Sequence, residues 1–277
     1  MGRLFYYPLC IVLMLVTAGY ATADLTDDLV VHFTFDTVKG KTIVDESGNG
    51  LDAEVVKKTQ FVKGKYGKAI HITGETEDCV NIPSSDALEI SEEITMMAWV
   101  YHENWTGHSS QWLDKGSHGE DRHSVYGMAV FDEKDLGGGG WFKDGSGIGI
   151  VLGTGAVQQI QMVDRTMRDK KWHHIVGVGE RRGATIYLDG EIILQPAGKF
   201  DDLNFKGINE DDLRIGCVKN KPHYAFEGGS IDEVAIWSRA LSEDEVKTAM
   251  RGPLLSVSPK DKGTTTWGNI KRKAFQP

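Results

Sequence analysis

Basic charge is in short supply in this chain: 31 Lys and Arg stand against 40 Asp and Glu, a formal net charge of −9. A surface of that sign repels phosphate backbones and anionic headgroups, which argues against nucleic acid and anionic membrane as partners. Long apolar runs are missing too. Residues 4–16 carry no charge, but Pro8 interrupts them and they fall short of the roughly 20 residues that a spanning helix needs. With Met1-Gly2-Arg3 before them and Ala21-Thr22-Ala23 after, residues 1–23 have the profile of a signal peptide, cleavage being expected after Ala23. No later segment approaches a span, so no membrane insertion is expected once the leader is gone, and the expected location is secreted, periplasmic or extracellular. Loss of Arg3 takes the charge to about −10. Cysteine is scarce, with three in all. Cys10 leaves with the leader, and Cys79 and Cys217 remain as an even pair in an oxidising compartment. A disulfide and two buried free thiols are both open readings.

Catalytic signatures are missing as well. There is no Gly-x-Ser-x-Gly elbow, no phosphate loop and no His-Glu-x-x-His. Proline is rare, at seven residues, while glycine reaches 33. Between clusters of Gly, Asn, Asp and Ser recur short runs rich in Val, Ile, Phe and Thr, which read as strands. They include residues 29–35, 69–72, 79–82, 94–101, 124–131, 148–152, 158–163, 172–178, 184–188 and 191–194. Arg181-Arg182-Gly183 and Asp189-Gly190 sit between such runs at hairpin length. In 94–101, Met97, Trp99 and Tyr101 alternate with Ala98 and Val100, so both faces are apolar and the strand belongs in mid-sheet. One helix is expected, over 242–251, with Ser242 and Glu245 as a capping box, Leu241 and Val246 as a hydrophobic staple, and Gly252-Pro253 as its stop. The pattern predicts an all-β, two-sheet antiparallel sandwich with one short C-terminal helix in residues 24–252, and a basic, Thr-rich tail in 253–277.

Four segments in order carry a resemblance. They are Phe33-Thr-Phe-Asp followed by Asp45-Glu-Ser-Gly-Asn-Gly, Ile94-Thr-Met-Met-Ala-Trp-Val, Trp172-His-His-Ile-Val-Gly-Val with Ile186-Tyr-Leu-Asp-Gly, and Gly229-Ser-Ile-Asp-Glu-Val-Ala-Ile-Trp-Ser-Arg-Ala-Leu-Ser. Together they resemble the laminin-G-like jelly-roll domains of the concanavalin A-like lectin/glucanase superfamily. The resemblance implies a jelly roll, and it leaves function wide, since such folds host lectins, adhesion modules and glycosidases.

Three groups of candidate site residues follow. Asp36 and the oxygen-rich loop 45–50 offer the hard ligands that calcium prefers. The resemblance brings the acidic residue of Ile-Asp-Glu-Val to the same place, nominating Asp36, Asp45, Asn49 and Asp232 for a structural calcium ion. Local Asx-type capping is the competing reading. Trp105, Trp112, Trp141 and Tyr224 lie in loop-like segments where rings can stack on sugars, whereas Trp99, Trp172 and Trp237 are assigned to the core. His102, His108, His118 and His123 share a long stretch with Asp114, Glu120 and Asp121, but at no standard metal-ligand spacing. A retaining glucanase needs two carboxylates about 5 Å apart, delivered along one strand. Glu133-Lys134-Asp135 and Glu75-Thr-Glu77 each lack the completing residue. The expectation is a non-catalytic module for glycan, with an extracellular protein partner and a divergent glycoside hydrolase as alternatives.

Overall fold

A computed structural model describes residues 24–254 apart from 58, 74–77, 104–107, 117–123, 135–141, 143–145, 154–157, 166, 168, 182, 196–205, 208, 221–223, 227 and 253. The leader expected in 1–23 and the tail beyond Leu254 therefore lie outside the described residues. In chain order the strands begin with β1 (Leu29–Phe33), β2 (Val38–Lys39), β3 (Thr42–Ile43), β4 (Ala53–Val56), β5 (Gln60–Lys63), β6 (Lys68–Ile72) and β7 (Cys79–Ile82). Next come β8 (Ile90–Ser91), β9 (Ile94–His102), β10 (Ser110–Lys115), β11 (Tyr126–Asp132), β12 (Ser146–Gly153) and β13 (Gln158–Asp164). The set closes with β14 (Trp172–Glu180), β15 (Gly183–Leu188), β16 (Glu191–Leu194), β17 (Lys206–Gly207), β18 (Leu213–Ile215) and β19 (Gly229–Trp237), followed by helix α1 (Glu243–Met250).

Two antiparallel sheets face each other. The first has the order β16-β15-β14-β9-β19-β6-β5, with β1 also on β19, and the second runs β13-β12-β11-β10-β18-β7-β4-β3-β2. This is the expected two-sheet jelly roll, and β9 lies inside its sheet between β14 and β19 as its two apolar faces require. One edge of β19 is shared. Gly229–Ile231 pairs with β6, and Val234–Trp237 pairs with β1 after a break in register between Asp232 and Ala235. Glu233, in that break, takes a left-handed backbone, φ 51°. Such an irregularity bends a strand and lets it change neighbours.

Alternate residues of both sheets point inward and form one apolar core, among them Phe33, Ile70, Val100, Trp112, Met128, Ile150, Ile175, Ile215 and Ile231. Burying each large side chain of this kind contributes about 1.5–3 kcal/mol. A second cluster lies on the outside of the first sheet, where α1 covers Met97, Val176, Tyr187, Ala235 and Trp237 with Leu241, Val246 and Ala249. The capping box is formed: Glu245 N–H donates to Ser242 Oγ at 3.4 Å and Ser242 N–H to Glu245 Oε2 at 2.8 Å. Both hairpin signals hold, the second with Asp189 and Gly190 at φ 54° and 81°, the two-residue turn that favours Asp-Gly.

Sequence left the state of the cysteines open; the structure joins them. Cys79 on β7 and Cys217 beyond β18 form a disulfide with Cα atoms 5.4 Å apart, at a sequence separation of 138. Closing so long a loop restricts the unfolded chain and is worth about 2–4 kcal/mol. Reduction, or a Cys79→Ser/Cys217→Ser double variant, is expected to lower the melting temperature by about 5–15 °C, read by circular dichroism with and without reductant. A melting curve indifferent to reductant would show that the bond does not contribute.

Candidate functional site

Strand pleating sends every second residue of the first sheet outward. Helix α1 covers one half of that outer face, and the other half includes partly exposed side chains. Register places five residues in one line across it: Gln60 opposite His71, His71 opposite Ser230, Ser230 opposite Tyr101, and Tyr101 opposite Trp172. Their neighbours in sequence, Phe61, Ile70, Ile231 and Val100, point into the core. At normal strand spacing the line spans about 19 Å. Gln60 is exposed, His71, Tyr101 and Trp172 are half-buried, and Ser230 is buried between them. The Tyr101 and Trp172 rings lie 5.7 Å apart, tilted by 44°. His71 Nδ1 and the Ser230 hydroxyl share a hydrogen bond of 3.3 Å. The line therefore pairs two aromatic faces with an amide, an imidazole and a hydroxyl.

A second aromatic pair lies one pleat closer to the helix. Trp99 stands opposite His174, with ring centroids 5.1 Å apart. Tyr66 meets Trp99 edge-on at 6.1 Å, and its hydroxyl donates to the Met250 carbonyl at the end of α1, at 3.2 Å. The Lys65 ammonium sits 4.0 Å from the Trp99 ring centroid. At an exposed position such a contact is worth about 0.5–1 kcal/mol. His174 is fully buried, and among the described residues neither ring nitrogen has a hydrogen-bond partner. Burial pulls its pKa down to about 4, so the ring is neutral at pH 7.

Lys65 and Tyr66 reach Trp99 because two carboxylates hold their turn. Asp36 Oδ1 accepts from Lys68 N–H at 2.7 Å, and Asp232 Oδ2 accepts from Tyr66 N–H at 3.0 Å. The turn begins and ends in glycine, since a β-carbon at Gly67 would strike the Asp36 carboxylate and one at Gly64 that of Asp232. Gly67 also has φ +49°, which penalises other residues. Burial pushes the Asp232 carboxyl up to about 7. At the far side, His173 bridges Asp189 (Nδ1 to Oδ2, 2.8 Å) and Asp169 (Nε2 to Oδ1, 2.9 Å). The hydrogen bond to Asp189 is the main reason its pKa rises, against a smaller opposing effect of burial. Asp189 Oδ1 also accepts from His174 N–H at 2.9 Å, which fixes β14 under the aromatic rows.

The structure does not gather the four nominated calcium ligands into one shell. Asp45 spends both oxygens on protein donors, accepting from His32 N–H and Ser47 N–H on Oδ1 and from Ser47 Oγ–H and Leu51 N–H on Oδ2, at 2.8–3.1 Å. That fills the four acceptor positions of a carboxylate. Asn49 turns its amide N–H groups toward the Leu29 and Val30 carbonyls, at 2.7 and 2.9 Å. Asp36 and Asp232 serve the turn at 64–67 instead. Asp45 and Asn49 thus act on local backbone, as the competing Asx-type reading has it, and Asp36 and Asp232 tie a turn. Among the described residues, no three His, Cys, Asp or Glu side chains form a metal-binding group.

The loop aromatics divide differently. Trp112 is a correction: it lies on β10, fully buried in the main core, where no ligand can stack on it. Sequence missed β10 because residues 110–115 are mostly polar, and their side chains are buried all the same. Tyr224 is half-buried beside Ala225, which bridges to Gln111 of the second sheet, so it does not join the line on the first. Trp105 and Trp141 lie outside the described residues, as do His118, Glu120, Asp121 and His123 of the histidine-rich stretch. Trp99 and Trp237 are buried as expected, both on the outer side of the first sheet, whereas Trp172 is half-buried there. Trp172-His-His is the signal that was available: a large aromatic and a histidine two residues apart on one face of a strand.

Comparison with known proteins places this geometry. A family model, Laminin_G_3, described as Concanavalin A-like lectin/glucanases superfamily, matches residues 74–247. No curated protein matches the chain in sequence. Among solved structures, the binding domain of Paraclostridial Mosquitocidal Protein 1 is similar at TM-score 0.59 and 17% identity, covering 82% of this chain and 52% of that one. Trypanosoma rangeli sialidase in complex with sialic acid aligns at 0.57 and 17%, covering 83% and 33%. Domain 4 of AbnA, a GH43 extracellular arabinanase from Geobacillus stearothermophilus in complex with arabinotriose, aligns at 0.57 and 19%, covering 81% and 98%. The chain thus spans about half of the toxin domain and a third of the sialidase. At these identities the likeness is one of fold.

Two measurements test the site as described. Because Asp45 already accepts four hydrogen bonds from the protein, excess chelator is expected to leave the melting temperature unchanged; a drop of several degrees would support the calcium reading. The folded pKa of His174, about 4, lies below its unfolded value near 6.5. Its contribution to stability is therefore present above pH 6.5 and lost as pH falls through 4, a change on the order of 3 kcal/mol. Denaturant midpoints of wild type and His174→Phe should converge above pH 7 more than at pH 4.5, where the wild type falls behind. Parallel pH profiles would show that the ring titrates normally.

Proposed function

This chain belongs to the concanavalin A-like lectin/glucanases superfamily, and within it we propose an extracellular, non-catalytic module that holds glycan on the line from Gln60 to Trp172. The observation that carries this reading is the line itself. A sugar ring has apolar C–H faces and a rim of hydroxyls, and it needs an aromatic plane beside groups that both donate and accept. Tyr101 and Trp172 supply the planes; Gln60, His71 and Ser230 supply the polar partners. A strip of about 19 Å suits an extended chain of a few sugars better than a small enclosed ligand. The similar structures captured with sialic acid and with arabinotriose support glycan as the ligand class. One similar toxin domain was captured with a protein, rat synaptotagmin II, which keeps an extracellular protein as the second partner class.

The carboxylates near the line support binding over catalysis. Asp36 and Asp232 are tied to the backbone of the turn at 64–67, and Asp189 and Asp169 to His173. None of these four is a free acid and base pair set across a sugar. Action outside the cell is supported by the Cys79–Cys217 disulfide, which persists where thiols are oxidised. Among the described residues no helix is long and apolar enough to cross a membrane.

The test is a glycan array followed by titration of the best binder. Trp172→Ala and Tyr101→Ala are each expected to weaken binding about tenfold or more, equivalent to about 1.4 kcal/mol, with an unchanged melting curve because both rings lie outside the main core. Binding untouched by both substitutions would remove the site, and silence across the array would shift the assignment to a protein partner.

A further inference from the structure

Trp172 stands at the very start of β14, where the sheet runs out. It pairs with Tyr101 on β9, but on its other side β15 has already ended at Leu188 and turned back at Asp189. Two carboxylates take over where that strand stops. Asp189 N–H donates to the His174 carbonyl at 2.8 Å, and Asp189 Oδ1 accepts from His174 N–H at 2.9 Å. Asp169 grips the approaching chain: its Oδ1 accepts from Lys171 N–H at 3.2 Å, around a left-handed Lys170 with φ 56°. His173 joins the two, with Nδ1 2.8 Å from Asp189 Oδ2 and Nε2 2.9 Å from Asp169 Oδ1. Lys171 before Trp172, and His173 and His174 after it, are thus all tied into one clasp through a single imidazole.

We propose that His173 is a positioning residue for the line from Gln60 to Trp172: held between Asp169 and Asp189, its imidazolium fixes the start of β14 and with it the Trp172 ring. That Trp172 meets sugar rests on the glycan reading above, whereas the clasp rests on geometry. A carboxylate only accepts, so both ring nitrogens must donate for both bonds to form, and an imidazole donates from both only in its charged form. Its two nitrogens point well apart, which suits acceptors arriving from two separate segments of chain. Consecutive residues of a strand face opposite ways. His173 therefore lies on the side of the sheet away from the Trp172 ring, opposite Val100, and acts through the backbone without touching a sugar. Among the described residues, the charged groups around it are Asp189 from the β15–β16 turn, Asp169 from the segment before β14, and Lys171, whose ammonium is 3.4 Å from Asp169 Oδ2. His174, next along β14, is buried and neutral at pH 7. The bond to Asp189 does most to raise the His173 pKa; burial opposes it, and Asp169 adds to the rise. The clasp is therefore complete below the ordinary imidazole value near 6.5 and is lost as pH rises through the folded value above it. Once the proton leaves, one bare nitrogen faces a carboxylate, that bridge opens, and no positive charge separates Asp169 from Asp189.

The experiment follows the His173 ring nitrogens and the Trp172 indole N–H by NMR of the nitrogen-15-labelled intact chain between about pH 6 and about pH 9, in wild type, His173→Gln and Asp169→Ala. In wild type, both His173 nitrogens are expected to be protonated at the low end, and the indole resonance to move in step as His173 loses its proton, a readout that needs no variant to fold. In His173→Gln the indole resonance should hold still across the same range. Asp169→Ala keeps an imidazole beside Asp189 and so separates the hold on the ring from the mere field of the charge; its indole should already lie near the wild-type alkaline position at the low end. Titration with arabinotriose reads the consequence: wild-type affinity is expected to fall about threefold or more from the low to the high end, and His173→Gln to show the weaker affinity at both. Titration of His71 in the line is common to both proteins and drops out of the comparison. An indole resonance that ignores His173, or a His173 that titrates at or below its ordinary value, overturns the proposal. The same pH dependence of affinity in wild type and His173→Gln overturns its bearing on binding. If arabinotriose binds at neither pH, the glycan reading fails for this sugar, while the resonances alone uphold or refute the clasp.

Discussion

The outer face of the first sheet depends on one irregular stretch of one strand. Between Asp232 and Ala235, β19 breaks its register, with Glu233 in a left-handed conformation that a non-glycine residue adopts only when its surroundings compel it. Two buried carboxylates compel it here. Asp232 accepts from Glu233 N–H at 2.8 Å and from Tyr66 N–H, and Glu233 Oε2 meets His32 Nε2 at 2.8 Å with both side chains almost wholly buried. The first tie fixes the β5–β6 turn, and the second fixes β1. Removing either partner of such a buried pair leaves a charge or a dipole without compensation, which costs far more than a surface bridge is worth.

That arrangement explains how much of the molecule could be read from residues alone. Strands with a strong pattern, such as β9, β14 and β15, were legible because alternation and β-branched content agree there with burial. The capping box of α1 was legible because its chemistry is local. The strand β10 was not, since Ser110, Gln111, Asp114 and Lys115 look like a loop and are buried by the fold around them. Lys115 shows why: its ammonium is met by the Asn209 carbonyl and side-chain oxygens at 2.9 and 2.8 Å, from a segment 94 residues away. No window of sequence contains such a partner.

The site was legible in its ingredients and not in its assignment. Aromatic residues and oxygen-rich loops stand out in the sequence, but their partners in space do not follow from proximity along the chain. Asp36 and Asp232 do come to one place, where they grip the turn at 64–67. Asp45 is satisfied by donors from its own loop and from the strand it follows. Trp99 and Trp172 read as core from the apolar character of their strands and the size of their rings, but neither signal decides which way a ring points. Register does, and register is a property of pairs of strands far apart in the chain.

The shared edge of β19 also governs how this chain can come to be folded. Its partner β1, the run Leu-Val-Val-His-Phe, is the first strand described and β19 the last, so their pairing joins residues about two hundred positions apart. On a ribosome, or at the exit of a translocation pore, β1 emerges early and must wait for most of the sequence before its ladder can form. Until then it is an apolar strand with an open edge, the kind of segment that seeks another chain. Pairing between such distant strands is slow because the long loop must close first. The interval between the appearance of β1 and that of β19 is therefore when this protein is most exposed to aggregation, and where a holding chaperone would have its effect.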